Sequence, residues 1–214
     1  MKKVIAITHQ KGGVGKTTIA TNLAVELSKK YKVKVIDLDL QKSMTYFNNI
    51  RQKNGLNALD IIKIDNSKEL AEAIDKNLDL LIIDVGGYDA DTTRVALYYS
   101  DVVITPVSDS SIELVGLLYF QKILQELRQH KENLVANILL NRIHIKTKLN
   151  LKKLHEFIEK KPEFKKMDSV LRDRRDYRVA FENGKSVVEM KKPATLEINE
   201  LIQEVIKILS LIHI

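Results

Sequence analysis

Five short apolar runs punctuate the chain: Val4–Thr8, Val33–Leu38, Leu78–Val85, Val102–Val107 and Leu134–Leu140. Each is continuous rather than alternating, and rich in Val, Ile and Leu. A strand reads this way when both of its faces are covered, as in a parallel sheet. Between the runs the spacing of apolar residues becomes helical. Lys16–Lys30 places Ile19, Leu23 and Leu27 on one face, and roughly Ser67–Lys76, Ile112–Gln129, Leu151–Glu159 and Thr195–Leu211 also read as helices. This alternation predicts an α/β fold: an open, mostly parallel twisted sheet with helices on both faces and right-handed crossovers. No repeat, low-complexity tract or Pro/Gly-rich linker interrupts it, so residues 1–214 are expected to form a single domain.

Composition narrows the chemistry. The 214 residues are 44% hydrophobic and 29% charged, ordinary values for a globular chain. There is no cysteine, which excludes a disulfide scaffold, a thiolate-held metal and a cysteine nucleophile. The five histidines show no metal-ligand spacing. No apolar stretch reaches the roughly 18 residues of a membrane span. Residues 1–8 run straight into a motif without the apolar region of a signal peptide, and a cytoplasmic location is expected.

That motif is Lys11-Gly12-Gly13-Val14-Gly15-Lys16-Thr17-Thr18, lying between the first strand and the first helix. The Gly…Gly-Lys-Thr spacing is that of a phosphate-binding loop. Glycines let backbone N–H groups wrap a phosphate chain, and the helix N-terminus adds partial positive charge. Lys16 is expected to reach the β- and γ-phosphates, and Thr17 to offer its hydroxyl to Mg²⁺. Asp84 ends the apolar run Leu80-Leu81-Ile82-Ile83, as does the strand-borne carboxylate that faces a hydrated Mg²⁺. Gly86-Gly87 follow and would give a mobile loop. Asp37 and Asp39 close the second strand on one face, where open α/β sheets bind ligands.

The string Lys-Gly-Gly-Val-Gly-Lys-Thr-Thr resembles the signature of the ParA/MinD family of deviant Walker A ATPases, P-loop NTPases of the SIMIBI type. The resemblance covers nearly the whole chain and extends to the small plasmid-type partition proteins such as ParF. It implies ATP and Mg²⁺ as cofactors and slow ATP hydrolysis stimulated by a partner. Lys11 would reach the nucleotide held by a second subunit, making ATP the glue of a homodimer. Asp39 would orient the attacking water, and Asp37 would support the Mg²⁺ side together with Thr17 and Asp84. The family string here is D-x-D-P-Q; this chain has Leu40 at the proline, while Gln41, Ser43 and Thr45 keep the pattern. Asn141, after the fifth strand, matches a position that reads adenine, although a turn-forming asparagine reads the same way. Ser108–Glu113 would lie near the nucleotide and dimer face.

The net charge is +7, and Arg142–Arg178 alone carries 13 Lys and Arg against 6 Asp and Glu. Clustered charge of this kind suits a nucleic-acid face, though a solvated basic helix has the same composition. The resemblance implies non-specific contact with double-stranded DNA at Arg172 and around Lys191-Lys192. Arg174, Arg175, Arg178 and Lys185 join that candidate set. It also implies a nucleoid-associated location and a ParB-like centromere-binding partner. Because the phosphate loop begins at residue 11, no N-terminal helix-turn-helix domain is expected. The expected function is therefore a DNA-segregation ATPase for a plasmid or chromosome. The alternative is a MinD-like membrane-surface positioning ATPase, raised by the apolar end Leu201–Ile214. That segment offers only Lys207 and His213 beside Glu204, too little cationic face for a surface-binding helix. A metabolic or amide-forming relative of the same fold is a third possibility.

Overall fold

The computed structural model describes residues 2–87, 91–108, 113–145 and 152–211. The elements in chain order are β1 (Lys3–Ile7), α1 (Lys16–Leu27), β2 (Val33–Asp37), α2 (Ser43–Lys53), β3 (Asp60–Ile62) and α3 (Ser67–Lys76). They continue with β4 (Leu80–Asp84), α4 (Asp91–Tyr99), β5 (Val102–Val107), α5 (Glu113–Arg128), β6 (Ala136–Ile143) and α6 (Lys152–Glu159). The last are β7 (Phe164–Arg172), α7 (Arg175–Glu182), a 3₁₀ turn at Val188–Met190 and α8 (Ala194–Leu211).

The strands form one seven-stranded sheet in the order β3-β2-β4-β1-β5-β6-β7, and every neighbouring pair is parallel. Strand alternation splits the core in two. Ile5 and Ile7 pack with Ile19, Leu23, Met44, Phe47 and the buried side of α8 on one face. Val4 and Ala6 pack with Leu70, Ile74 and Ala96 on the other, and α5 and α6 cover the β5–β7 half of that face. β1 lies between β4 and β5, where the winding changes side. Ligands in such sheets bind outside the C-terminal strand ends at this crevice.

The five expected strands are all present, and Ser67–Lys76 is a helix with those bounds. Asn66 caps it, its side chain accepting from Glu69 N. Two strands and three helices were not expected. β3 has only three residues, and β7 (FKKMDSVLR) alternates because it is an edge strand with one wet face. α2, α4 and α7 run only 11, 9 and 8 residues. No described helix is long and apolar enough to cross a membrane.

Candidate nucleotide site

The loop from β1 to α1 turns at Gly13 (φ 76) and Gly15 (φ 94), a region that penalises any side chain. Gly15 has a second reason to be glycine: a Cβ there would collide with the Asn141 amide. Asn141, at the end of β6, is buried and donates from Nδ2 to Val14 O at 2.6 Å. Its neighbour Arg142 donates from Nη1 to Gly13 O at 2.7 Å. Lys16 is buried at the start of α1, and its ammonium reaches back to Lys11 O at 3.4 Å. Lys11 itself is exposed. Its backbone N–H donates to Nδ1 of the buried His9 at 2.9 Å, so His9 sets the entry to the loop.

A cavity of about 510 Å³ opens over this loop. Gly12, Gly13, Gly15, Lys16, Thr17 and Thr18 form its phosphate-sized end, with Asp39 beside them. Asn141, Arg142 and the α7 residues Tyr177 and Phe181 line another part of the wall. The volume and the mixed lining suit a nucleotide.

Three carboxylates meet at the strand ends, with Asp37 and Asp84 in register across β2 and β4. Asp84 is fully buried, and neither of its oxygens has a hydrogen-bond partner. Burial pushes its carboxyl up to about 7. The Thr17 hydroxyl opposes that shift without meeting either oxygen at hydrogen-bonding geometry, and the charge of Asp37 adds to it. A buried carboxylate left this way suits a cation that arrives with its own waters. No cluster of three or more His, Cys, Asp or Glu capable of holding a metal exists among the described residues. Thr17 and Asp84 therefore fit Mg²⁺ brought in on phosphates, rather than a metal caged by protein alone.

Asp37 is occupied differently. Its Oδ1 accepts from Asp39 N at 3.2 Å, and its Oδ2 accepts from Thr45 N at 3.0 Å and from Thr45 Oγ1 at 3.1 Å. It ties the loop 38–42 to the first turn of α2. Asp39 accepts from Gln41 N at 2.9 Å and stands half-buried at the cavity. Leu40 projects into solvent with 84% of its surface exposed. Gly86 lies against this loop, where a Cβ would come within 3.3 Å of Leu38 O, and Gly87 lies against the entry to the phosphate loop, where a Cβ would come within 2.8 Å of Gln10 O.

The basic residues separate. Arg172, Arg174 and Arg178 line the cavity rim. Arg174 Nε donates to the buried Glu197 of α8 at 2.6 Å. Glu197 also accepts from Arg172 N at 2.9 Å and Tyr177 Oη at 3.0 Å. Burial, then Glu197, pushes the Tyr177 hydroxyl up, so it remains a donor. Arg175, Lys191 and Lys192 are exposed and Lys185 is half-buried, none of them on the cavity wall. Ser108–Glu113 falls largely outside the described residues, as does the end of the chain from 212. Arg142, His9, Tyr177 and Glu197 had no motif to mark them. An arginine after a candidate adenine reader was the faintest of signals.

A phosphate loop at the head of α1, a lysine at its start and carboxylates on β2 and β4 define a P-loop ATPase of the deviant Walker A class. The family model of the CobQ/CobB/MinD/ParA nucleotide binding domain matches residues 5–187, and the chain belongs to that family. It is 28% identical over 199 residues to the sporulation initiation inhibitor protein Soj of Bacillus subtilis, covering 73% of this chain and 79% of Soj. It is 24% identical over 208 residues to the maintenance of carboxysome distribution protein A of Halothiobacillus neapolitanus, covering 94% and 95%. A Borrelia burgdorferi B31 protein assigned to plasmid partition (BB_S35), solved with AMPPNP, superposes with a TM-score of 0.75 at 25% identity. The match covers 96% of this chain and 98% of that one.

Proposed function

We propose that this chain is a DNA-segregation ATPase, with residues 1–214 acting as one ATPase domain. ATP closes two copies into a dimer, the dimer holds duplex DNA without regard to sequence, and a ParB-like partner releases it by stimulating hydrolysis. The observation that carries this reading is the cavity itself. Its floor is a phosphate loop with Asp39 beside it, and its far wall, running from the end of β7 into α7, carries Arg172, Arg174 and Arg178 with Asp173 and Glu182 among them. Nucleotide and polyanion face thus share one helix, which gives ATP a physical route to the DNA side. The likeness to the Borrelia partition protein and to Soj supports the same assignment.

In this reading the backbone N–H groups of residues 12–18 and the Lys16 ammonium bind the phosphates. Thr17 and Asp84 would hold a Mg²⁺ that, when bound, would supply positive charge to the phosphates, while Asp37 holds the Asp39–Thr45 loop in place. Asp39 orients the water whose attack yields ADP and phosphate. Lys11, exposed at the loop's start, neutralises the phosphates of the second subunit. Asn141 keeps its carbonyl oxygen available to adenine while its amide holds Val14. Arg172, Arg175, Arg178, Lys185, Lys191 and Lys192 supply phosphate contacts to DNA. Arg174 serves through its bond to Glu197, which keeps α7 in place.

The test is binding to non-specific duplex DNA with ATP, with ADP and without nucleotide, at two salt concentrations. Binding that needs ATP and weakens steeply with salt is expected. Binding in none of these conditions overturns the proposal, and flotation with anionic vesicles would then test the membrane-surface alternative.

A further inference from the structure

Successive side chains of a strand point to opposite faces. Asn141 and Arg142, neighbours near the end of β6, should therefore not reach the same loop, yet they do. Asn141 Nδ2 bonds Val14 O and Arg142 Nη1 bonds Gly13 O. The backbone explains how. Arg142 is left-handed at φ 58, and the register of β6 on β7 slips between Leu140 and Ile143. Arginine has no preference for that conformation. The bend swings two consecutive side chains onto two consecutive carbonyls of the phosphate loop.

Across a planar peptide the C=O and the following N–H point in opposite directions. A donor that holds Gly13 O to one side turns Val14 N–H to the other, and a donor on Val14 O does the same for Gly15 N–H. We infer that Arg142 is a positioning residue for nucleotide binding: its guanidinium pins the Gly13 carbonyl so that the loop offers its N–H groups to the β-phosphate. This rests on reading the cavity as the nucleotide site. Arg142 is exposed and lines that cavity, so its bond lies in water when the cavity is open and strengthens when a ligand excludes water.

The diagnostic variant is Arg142→Gly in the full chain. Glycine accepts φ 58 without strain, so the side chain is removed without a backbone penalty in the folded state. Arg142→Asn, which also tolerates this conformation, repeats the test in a second background. Arg142→Lys keeps the charge without the planar fork. Calorimetric titration uses MgADP and MgAMPPNP, with thermal melting alongside and Lys16→Ala as the non-binding control. Arg142→Gly should weaken both nucleotides alike, by about tenfold, with an unchanged or raised melting temperature. Lysine should restore only part of the loss. Unchanged affinity overturns the inference, as does full recovery by lysine, which would reduce the role to charge. Loss for AMPPNP with ADP spared also overturns it, because it would place the guanidinium on the γ-phosphate. A wild-type chain that binds neither nucleotide would overturn the nucleotide reading of the cavity instead.

Discussion

Arg51 and Glu189 clamp α2 to the 3₁₀ turn before α8 through a two-pronged ion pair, Nη1 to Oε2 at 2.8 Å and Nη2 to Oε1 at 3.1 Å. Arg51 is buried, and its Nη1 also donates to Gly184 O at 2.8 Å. The pair joins the helix that follows Asp39 to the segment that follows α7. The two sides of the nucleotide cavity are thereby fastened to each other behind it.

Removing the guanidinium strands a half-buried carboxylate. Arg51→Ala should cost about 3 kcal/mol, read from urea denaturation. Burial alone would raise the Glu189 carboxyl, but the Arg51 hydrogen bonds and charge outweigh it and hold the group below the usual carboxylate range. A depressed folded value means that the stabilisation is present above the ordinary glutamate pKa and lost as pH falls through the depressed one. The stability gap between wild type and Arg51→Ala should therefore narrow in acid, leaving the part that Arg51 contributes through its bonds to the Asn57 and Gly184 carbonyls. A constant gap down to pH 2–3 (about two units below an ordinary glutamate) would contradict the pair's role.

Asp84 carries the opposite kind of strain. A buried carboxylate with no partner costs the empty protein stability. Asp84→Asn should raise the unfolding free energy without nucleotide by about 1–2 kcal/mol and weaken Mg²⁺-dependent ATP binding. Calorimetry with and without Mg²⁺ separates the two effects. A variant that is less stable and binds MgATP normally would remove Asp84 from the metal side.

Lys11 and Asp39 should part company. Lys11→Ala is expected to keep monomeric ATP binding and lose the ATP-dependent dimer in light scattering. Asp39→Ala is expected to hold ATP, stay dimeric and stop hydrolysing. Normal turnover by Asp39→Ala would mean that another group orients the water.

Among the basic residues, the exposed Arg175, Lys191 and Lys192 are expected to matter to DNA, and Arg174, bonded to Glu197, to the fold. Replacing Arg175, Lys191 and Lys192 together by Ala should keep ATPase activity, weaken DNA binding and reduce the salt slope by about one per lost contact. Arg174→Ala should instead lower the melting temperature, since its partner Glu197 is buried. DNA affinity that tracks Arg174 alone would reverse this division.

Much of the frame was legible because the central strands are buried on both faces and their apolar runs need no partner to be seen. The edge strand β7 was not, since the exposed Lys165, Lys166 and Asp168 break its apolar run. The phosphate loop was legible because its glycines and Lys-Thr are contiguous. The far wall of the cavity was not. Arg172, Arg174 and Arg178 read as a charge cluster, and nothing in their spacing says that the chain folds back over the loop from residue 11. Glu197, a carboxylate in an otherwise ordinary amphipathic helix, gathers Arg172 N, Arg174 and Tyr177, and the pairing of β7 with β6 and the Phe47–Phe181 contact bring the same segment there.

That carboxylate has a practical meaning for anyone shortening this protein. The family match stops at residue 187, an inviting place to cut. A chain trimmed there keeps its phosphate loop, Asp37, Asp39, Asp84 and Asn141. It loses the acceptor that gathers Arg172 N, Arg174 and Tyr177. The catalytic half would survive on paper while the wall facing it came loose, so the smallest working unit extends through α8.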